Sequence, residues 1–196
     1  GTMIDSTGFG ITAANALALA APGAISAGTL TSTMATTTVQ STGANIWFSA
    51  PVSAGTDLYA DAMGAIQADS TLNAGNFVHL ASGAGGDIWL RNAVSSSAIG
   101  LLPGQAAIGI SSGQDILLDS PANLTAVNSG GVVLTAARHV DLMHVDNCCS
   151  AIARSISAPG DISITATGGQ IFRAVGDDYR NLSGANVFLN AGTDIG

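Results

Sequence analysis

The densest group of chemically capable side chains lies between Arg138 and Cys149, where His139, Asp141, His144, Asp146, Cys148 and Cys149 fall within 11 residues. Imidazole, carboxylate and thiolate are the ligands of zinc and its first-row neighbours. The spacing matches no familiar ligand pattern, and adjacent cysteines fit neither a zinc knuckle nor a C-x-x-C redox pair. If Val140 and Leu142 turn inward, His139 and Asp141 lie on an outer face, where polar residues are expected without any metal. Cys148 and Cys149, the only cysteines, could form a vicinal disulfide, pair with another chain or stay reduced in a loop, but they cannot be the main staple.

Two further groups invite chemistry. Asp177 and Asp178, followed by Tyr179 and Arg180, form a compact acidic pair, and two carboxylates can divide acid and base work in glycan cleavage. The same stretch interrupts a repeat between Ile171 and Val187, where a polar loop is expected in any case. Asp57, Asp87, Asp115, Asp161 and Asp194 each follow a glycine closely, a pairing also found in calcium-binding nonapeptide rolls. Those rolls need tandem G-G-x-G-x-D units, which GAGGDIWL around Gly83 only approaches, and a turn role explains Asn45, Asn76 and Asn186 equally well. The reading therefore assigns no catalytic residue, no metal ligand, no cofactor and no enzyme activity. Trp47, Trp89, Tyr59 and Phe188 occupy the middle positions of alternating runs, facing outward to stack on a sugar, on a receptor or on their own neighbours.

The elements that carry these residues repeat. Eight times a glycine, with at most one residue between, precedes Asn or Asp and then a large apolar residue: at Gly43, Gly55, Gly75, Gly86, Gly113, Gly160, Gly184 and Gly192. Glycine reaches positive φ without a clash and Asn or Asp tolerates the same region, so each copy reads as a sharp corner. The residues after each corner read as extended: Ile46-Trp47-Phe48, Val78-His79-Leu80, Ile88-Trp89-Leu90, Ile162-Ser163-Ile164 and Val187-Phe188-Leu189 place apolar residues two apart, the period of a strand with one buried face. Including degenerate copies, strands are expected near 46, 58, 66, 78, 88, 99, 108, 116, 124, 132, 140, 152, 162, 171, 187 and 195, a mean step of about ten residues. Two steps make a coil of roughly 20 residues, and about nine stacked rungs would form a rod on the order of 45 Å long. The fold class expected is all-β, a right-handed, single-stranded parallel β-helix.

Composition agrees. The chain has no Lys and no Glu; its 13 acids are all Asp and its five cations all Arg. Ala is frequent, but it is interleaved with Gly, Ser, Thr, Asn and β-branched residues that favour turns and strands. With 47% hydrophobic and 9% charged residues the chain is too apolar for disorder. A net charge of −8 leaves no basic patch for phosphates, so nucleic acid is not an expected partner. No apolar run is long enough for a membrane-spanning segment. Ala13 to Ala27 resembles the core of a signal peptide, yet it lacks a cationic leader and alternates at Leu17 and Leu19, so a rung is expected there. Residues 1–3 read as an added leader and 4–196 as one continuous β-helix segment, expected to be a piece of a longer array.

The strings GANIWFSA, GGDIWLRN, GQDILLDS, GGVVLTAA, GDISITATGGQI and GANVFLNAGTDI resemble the haemagglutinin-type repeats of filamentous haemagglutinin and related large exoproteins. The resemblance covers nearly the whole chain from about residue 8 onward. It implies a β-helical shaft segment of a bacterial adhesin, secreted or displayed outside a Gram-negative outer membrane by the two-partner route. Its implied partners are an outer-membrane secretion pore and a receptor or glycan on a host or neighbouring cell. The alternatives are the stalk of a contact-dependent inhibition toxin and, outside that class, a polysaccharide-cleaving β-helix enzyme.

Overall fold

The structure, a computed structural model, describes residues 2–119, 121–144, 154–172 and 180–196. Asp146, Cys148, Cys149, Asp177, Asp178, Tyr179 and the strand expected near 152 lie outside the described residues. The chain is a parallel β-solenoid: among the described residues 24 strands form three eight-stranded sheets, in which each strand pairs with the third strand before and after it. Every strand pairing is parallel. Among the described residues there is no helix. At a rung spacing of about 4.8 Å, eight stacked strands span roughly 34 Å.

One coil shows how residues dictate the section. Ile25–Ala27 lies in the first sheet, Leu30–Ser32 in the second and Thr37–Ser41 in the third, with burial alternating along each. Ladders of like residues run up the interior. Ile4, Ile25, Ile46, Ile66, Ile88, Ile116, Val140 and Ile171 stand in one register, and Leu30, Val52, Leu72, Val94 and Leu124 in another. Phe48, Leu72, Leu80 and Leu90 are fully buried, each fixed by burial worth about 1.5–3 kcal/mol. The segment that mimics a signal peptide is part of the stack, as the strands Leu17–Ala21 and Ile25–Ala27.

Three expectations are corrected. The coil has three strands rather than two, because the second sheet, with strands such as Val52–Ala54, Leu72–Ala74 and Val94–Ser96, is entered without the glycine motif. The strand expected near 99 is a surface excursion, with Ile99 82% exposed and Gly100 at φ 80° turning the chain outward; the strand of that rung is Val94–Ser96. The motif glycines are not at positive φ, which among the described residues occurs at Gly100 and Gly130. Their reason is proximity. At all eight, a Cβ would come within 3.0 Å of an atom of another part of the stack; at Gly75 and Gly113 that atom is the carbonyl oxygen of Gly55 and Gly83.

Candidate functional site

Among the described residues the inward side chains form an apolar core, and polar groups stand at the corners and on the outward rows. The motif copies sort onto two of the three corners. Asn45, Asp87 and Asp115 precede first-sheet strands, Asp194 precedes the bridge of Ile195 to first-sheet Ile171, and Asp57, Asn76, Asp161 and Asn186 lead into third-sheet strands. At the first corner each acceptor reaches the next rung. Asn45 Oδ1 accepts the Ala65 N–H at 2.9 Å, Asp87 Oδ1 the Asp115 N–H at 3.1 Å, Asp115 Oδ1 the His139 N–H at 2.9 Å, and His139 Nδ1 the Gln170 N–H at 3.0 Å. The third-sheet corner repeats this at Asp57, whose Oδ1 accepts the Phe77 N–H at 3.3 Å. Each bond satisfies a donor left over where the ladder turns.

Several of the candidate ligands have structural partners in these corners. His139 uses Nδ1 as an acceptor, which places its proton on Nε2, and its ring meets Phe172 edge-on at 5.7 Å. Asp141, expected on an exposed face, is 3% exposed, held in register between Leu117 and Phe172. Among the described residues no three His, Cys, Asp or Glu gather as a metal site. Asp115 is gripped by the Arg138 guanidinium through Nε at 2.9 Å and through Nη2. Burial pushes the Asp115 carboxyl up, but the hydrogen bonds and charge of Arg138 and the His139 N–H together hold it below the ordinary value. The same pairing raises Arg138.

The outer face of the first sheet carries a linked polar ladder. Trp47, Gln67 and Trp89 share one outward row. The Trp47 Nε1–H donates to Asp69 Oδ2 at 2.7 Å, and Gln67 Nε2 donates to the two Asp69 oxygens at 2.9 and 3.1 Å. One rung on, Arg91 bridges Asp69 and Asp119, each at 3.2 Å. The Trp89 Nε1–H donates to Asp119 at 2.7 Å, and the Arg91 guanidinium lies 3.8 Å over the Trp89 ring, within cation–π range. Charges alternate along the axis, and both indole N–H groups have a carboxylate acceptor.

The outer face of the third sheet is organised differently. Tyr59 and His79 are register partners, with ring centroids 6.0 Å apart. Asp61 Oδ1 stands 3.8 Å from His79 Nε2, both side chains being 45% exposed; that is an ion-pair distance only when the imidazole is protonated, and too long for a hydrogen bond. Beside them a groove of about 360 Å³ crosses three rungs, with Gln40, Thr42, Asp61, Met63, Ala81 and Gly83 among its lining residues.

Sequence reasoning placed Trp47, Trp89, Tyr59 and Phe188 in outward positions, and they are 40% exposed, half-buried, 36% and 55% exposed respectively. It missed the Asp69–Arg91–Asp119 ladder and the Tyr59–His79–Asp61 group. The signal for both was there: stacking the chain coil upon coil sets Trp47, Gln67 and Trp89 in one row, and Tyr59 against His79.

The fold defines a class of protein, a three-sided parallel β-solenoid with an apolar core. Comparison of the chain with protein-family models, with curated protein sequences and with solved structures finds no match.

Proposed function

We propose that this chain is a shaft segment of a secreted or surface-displayed bacterial exoprotein of the filamentous haemagglutinin-like kind, attaching to a host or neighbouring cell through its outer faces. The supporting observation is where the chemistry lies. The interior is packed with apolar side chains, while aromatic and polar side chains stand in register along the outside, Trp47 over Gln67 and Trp89 on one face and Tyr59 over His79 on another. Such a surface binds by length and repetition, as in other solenoids. The sequence resemblance supplies the secretion route and the pore partner.

The test is retention of cells on beads coated with the purified chain, beside saccharide hydrolysis by the same preparation. Attachment is expected to be unchanged in the double variant Asp177→Asn, Asp178→Asn, with no hydrolysis in either protein. Hydrolysis that the double substitution abolishes would replace this reading with a polysaccharide-cleaving enzyme, and beads that retain no cells would remove it.

A further inference from the structure

We propose that the third-sheet groove between Gln40 and Gly83 binds an uncharged hexopyranose stretch of a glycan lying along the solenoid axis, with Tyr59 and His79 as its aromatic flank. This rests on the attachment reading above and specifies the ligand class.

The first observation is a difference in commitment among the carboxylates. Asp5 accepts from Thr7; Asp57 from Thr36 and Phe77; Asp69 from Trp47, Gln67 and Arg91; Asp87 from Asp115; Asp115 from Arg138 and His139; Asp119 from Trp89 and Arg91; Asp161 from Asn186; Asp194 from Gln170. Asp141 is buried and has interactions of its own. Among the described residues Asp61 has only His79, at 3.8 Å. It lines the groove together with the amide of Gln40 and the hydroxyl of Thr42. These are the paired acceptors and donors that sugar hydroxyls require.

The second observation is shape. The groove's volume of about 360 Å³ lies at the low end of small-ligand sites, roughly 300–1,000 Å³. Its lining lacks bulk at Ala81 and Gly83, and the next rung continues the face with small residues, Gly109 and Ser111 in register with His79 and Ala81. A ligand can therefore run from rung to rung, each advance about 4.8 Å. The apolar face of a pyranose ring suits the exposed Tyr59 ring, and its equatorial hydroxyls suit Asp61 and Gln40.

The third observation sets the charge. The net charge is −8, and the guanidinium groups whose side chains are described, Arg91 and Arg138, are both held by carboxylates. Sulfated or carboxylated sugars would meet Asp61 with no committed counter-charge beyond His79. The groove selects uncharged sugars.

Calorimetric titration of the full chain with neutral gluco-, manno- and galacto-hexasaccharides, and with a heparin hexasaccharide as the anionic probe, tests this. At least one neutral hexasaccharide is expected to bind. Its affinity should fall about tenfold in Tyr59→Ala and in Asp61→Ala, as for truncation of a contact at the centre of an interface. Binding should vanish in Ala81→Trp, which fills the groove, and persist in Trp47→Ala. Melting temperature and strand circular dichroism should hold in these outward variants; if Tyr59→Ala fails to fold, Asp61→Asn and Ala81→Trp decide. The proposal is overturned if no neutral hexasaccharide binds, if binding ignores Asp61 and Ala81, or if heparin binds and the same substitutions weaken it. Cell retention on wild-type beads separates the two readings: attachment without hexasaccharide binding removes the groove alone, and hexasaccharide binding without attachment removes the shaft reading alone.

Discussion

The outer faces of the first and third sheets share one core and one coil repeat, yet they treat their polar groups in opposite ways. On the first, Asp69, Arg91 and Asp119 tie three rungs together and absorb both indole N–H groups. On the third, Tyr59, Asp61 and His79 stand close without a hydrogen bond between Asp61 and His79, beside an open groove. A ladder whose donors and acceptors satisfy one another serves stability. Polar groups gathered but left to water remain available to a ligand. Exposed aromatic rings alone would not have separated the two, since Trp47 and Tyr59 are about equally accessible.

The comparison depends on a core that serves both faces alike. Phe48, on the inner side of the first sheet, and Leu80, on the inner side of the third, are both fully buried. Phe48→Ala and Leu80→Ala should each cost about 3–5 kcal/mol in chemical denaturation, the range for large-to-small changes in a close-packed interior. A cost near zero at Leu80 would mean that the third face is loosely seated and its groove not preformed. Next in size is the contrast between outward carboxylates. Asp69→Ala removes the acceptor of Trp47, Gln67 and Arg91 and should cost about 1–2 kcal/mol, whereas Asp61→Ala should stay within about 0.5 kcal/mol of the wild type. Equal losses would erase the distinction drawn between the faces.

The corner comes next. His139→Ala leaves the Gln170 N–H without its acceptor and should cost about 1 kcal/mol, while His139→Asn, which restores an acceptor of the kind Asn45 supplies at an earlier rung of the same corner, should recover most of it. Measured unfolding free energies of the pair check this directly. No difference between Ala and Asn would show that the ring's packing on Phe172, and not its acceptor, holds the corner.

Much of this architecture was legible because two corners announce themselves. Gly86-Asp87-Ile88 and Gly160-Asp161-Ile162 mark entry to the first and third sheets, and period-two alternation then identifies the strands. Apart from Leu124–Ala126, expected near 124, most of the second sheet was hidden because its corner is built from segments such as Ser49-Ala50-Pro51 and Asp69-Ser70-Thr71, with no shared signature, and strands such as Val52–Ala54 and Leu72–Ala74 are three residues long. The reason for the glycines was also misread, since a need for positive φ and a lack of room for Cβ leave the same letter in the sequence. Asp61 was not singled out because its distinction is an absence of partners, which only the stacking of coils reveals. Asp141 was misplaced for a related reason: alternation assigns a side, but the neighbouring rungs decide how much of that side water reaches.

The smallest effect probes how tightly the first corner uses its acids. Asp115 sits below its ordinary value of 3.8 because Arg138 and the His139 N–H favour the carboxylate more than burial opposes it. The folded chain therefore binds that proton less readily than the unfolded chain, and unfolding takes up a proton in acid. The stabilisation is fully present above about pH 3.8 and is lost as the pH falls through the lowered folded value. Asp115→Asn cannot titrate, and in Arg138→Gln the main cause of the lowering is gone. Both variants should be less stable than wild type at pH 7 and should converge on it as denaturation is repeated at successively lower pH. Parallel curves, with a constant gap down to the acid limit, would show that Asp115 holds the corner through its shape and hydrogen bonds alone, and that the ion pair with exposed Arg138 contributes nothing measurable, as many surface pairs do.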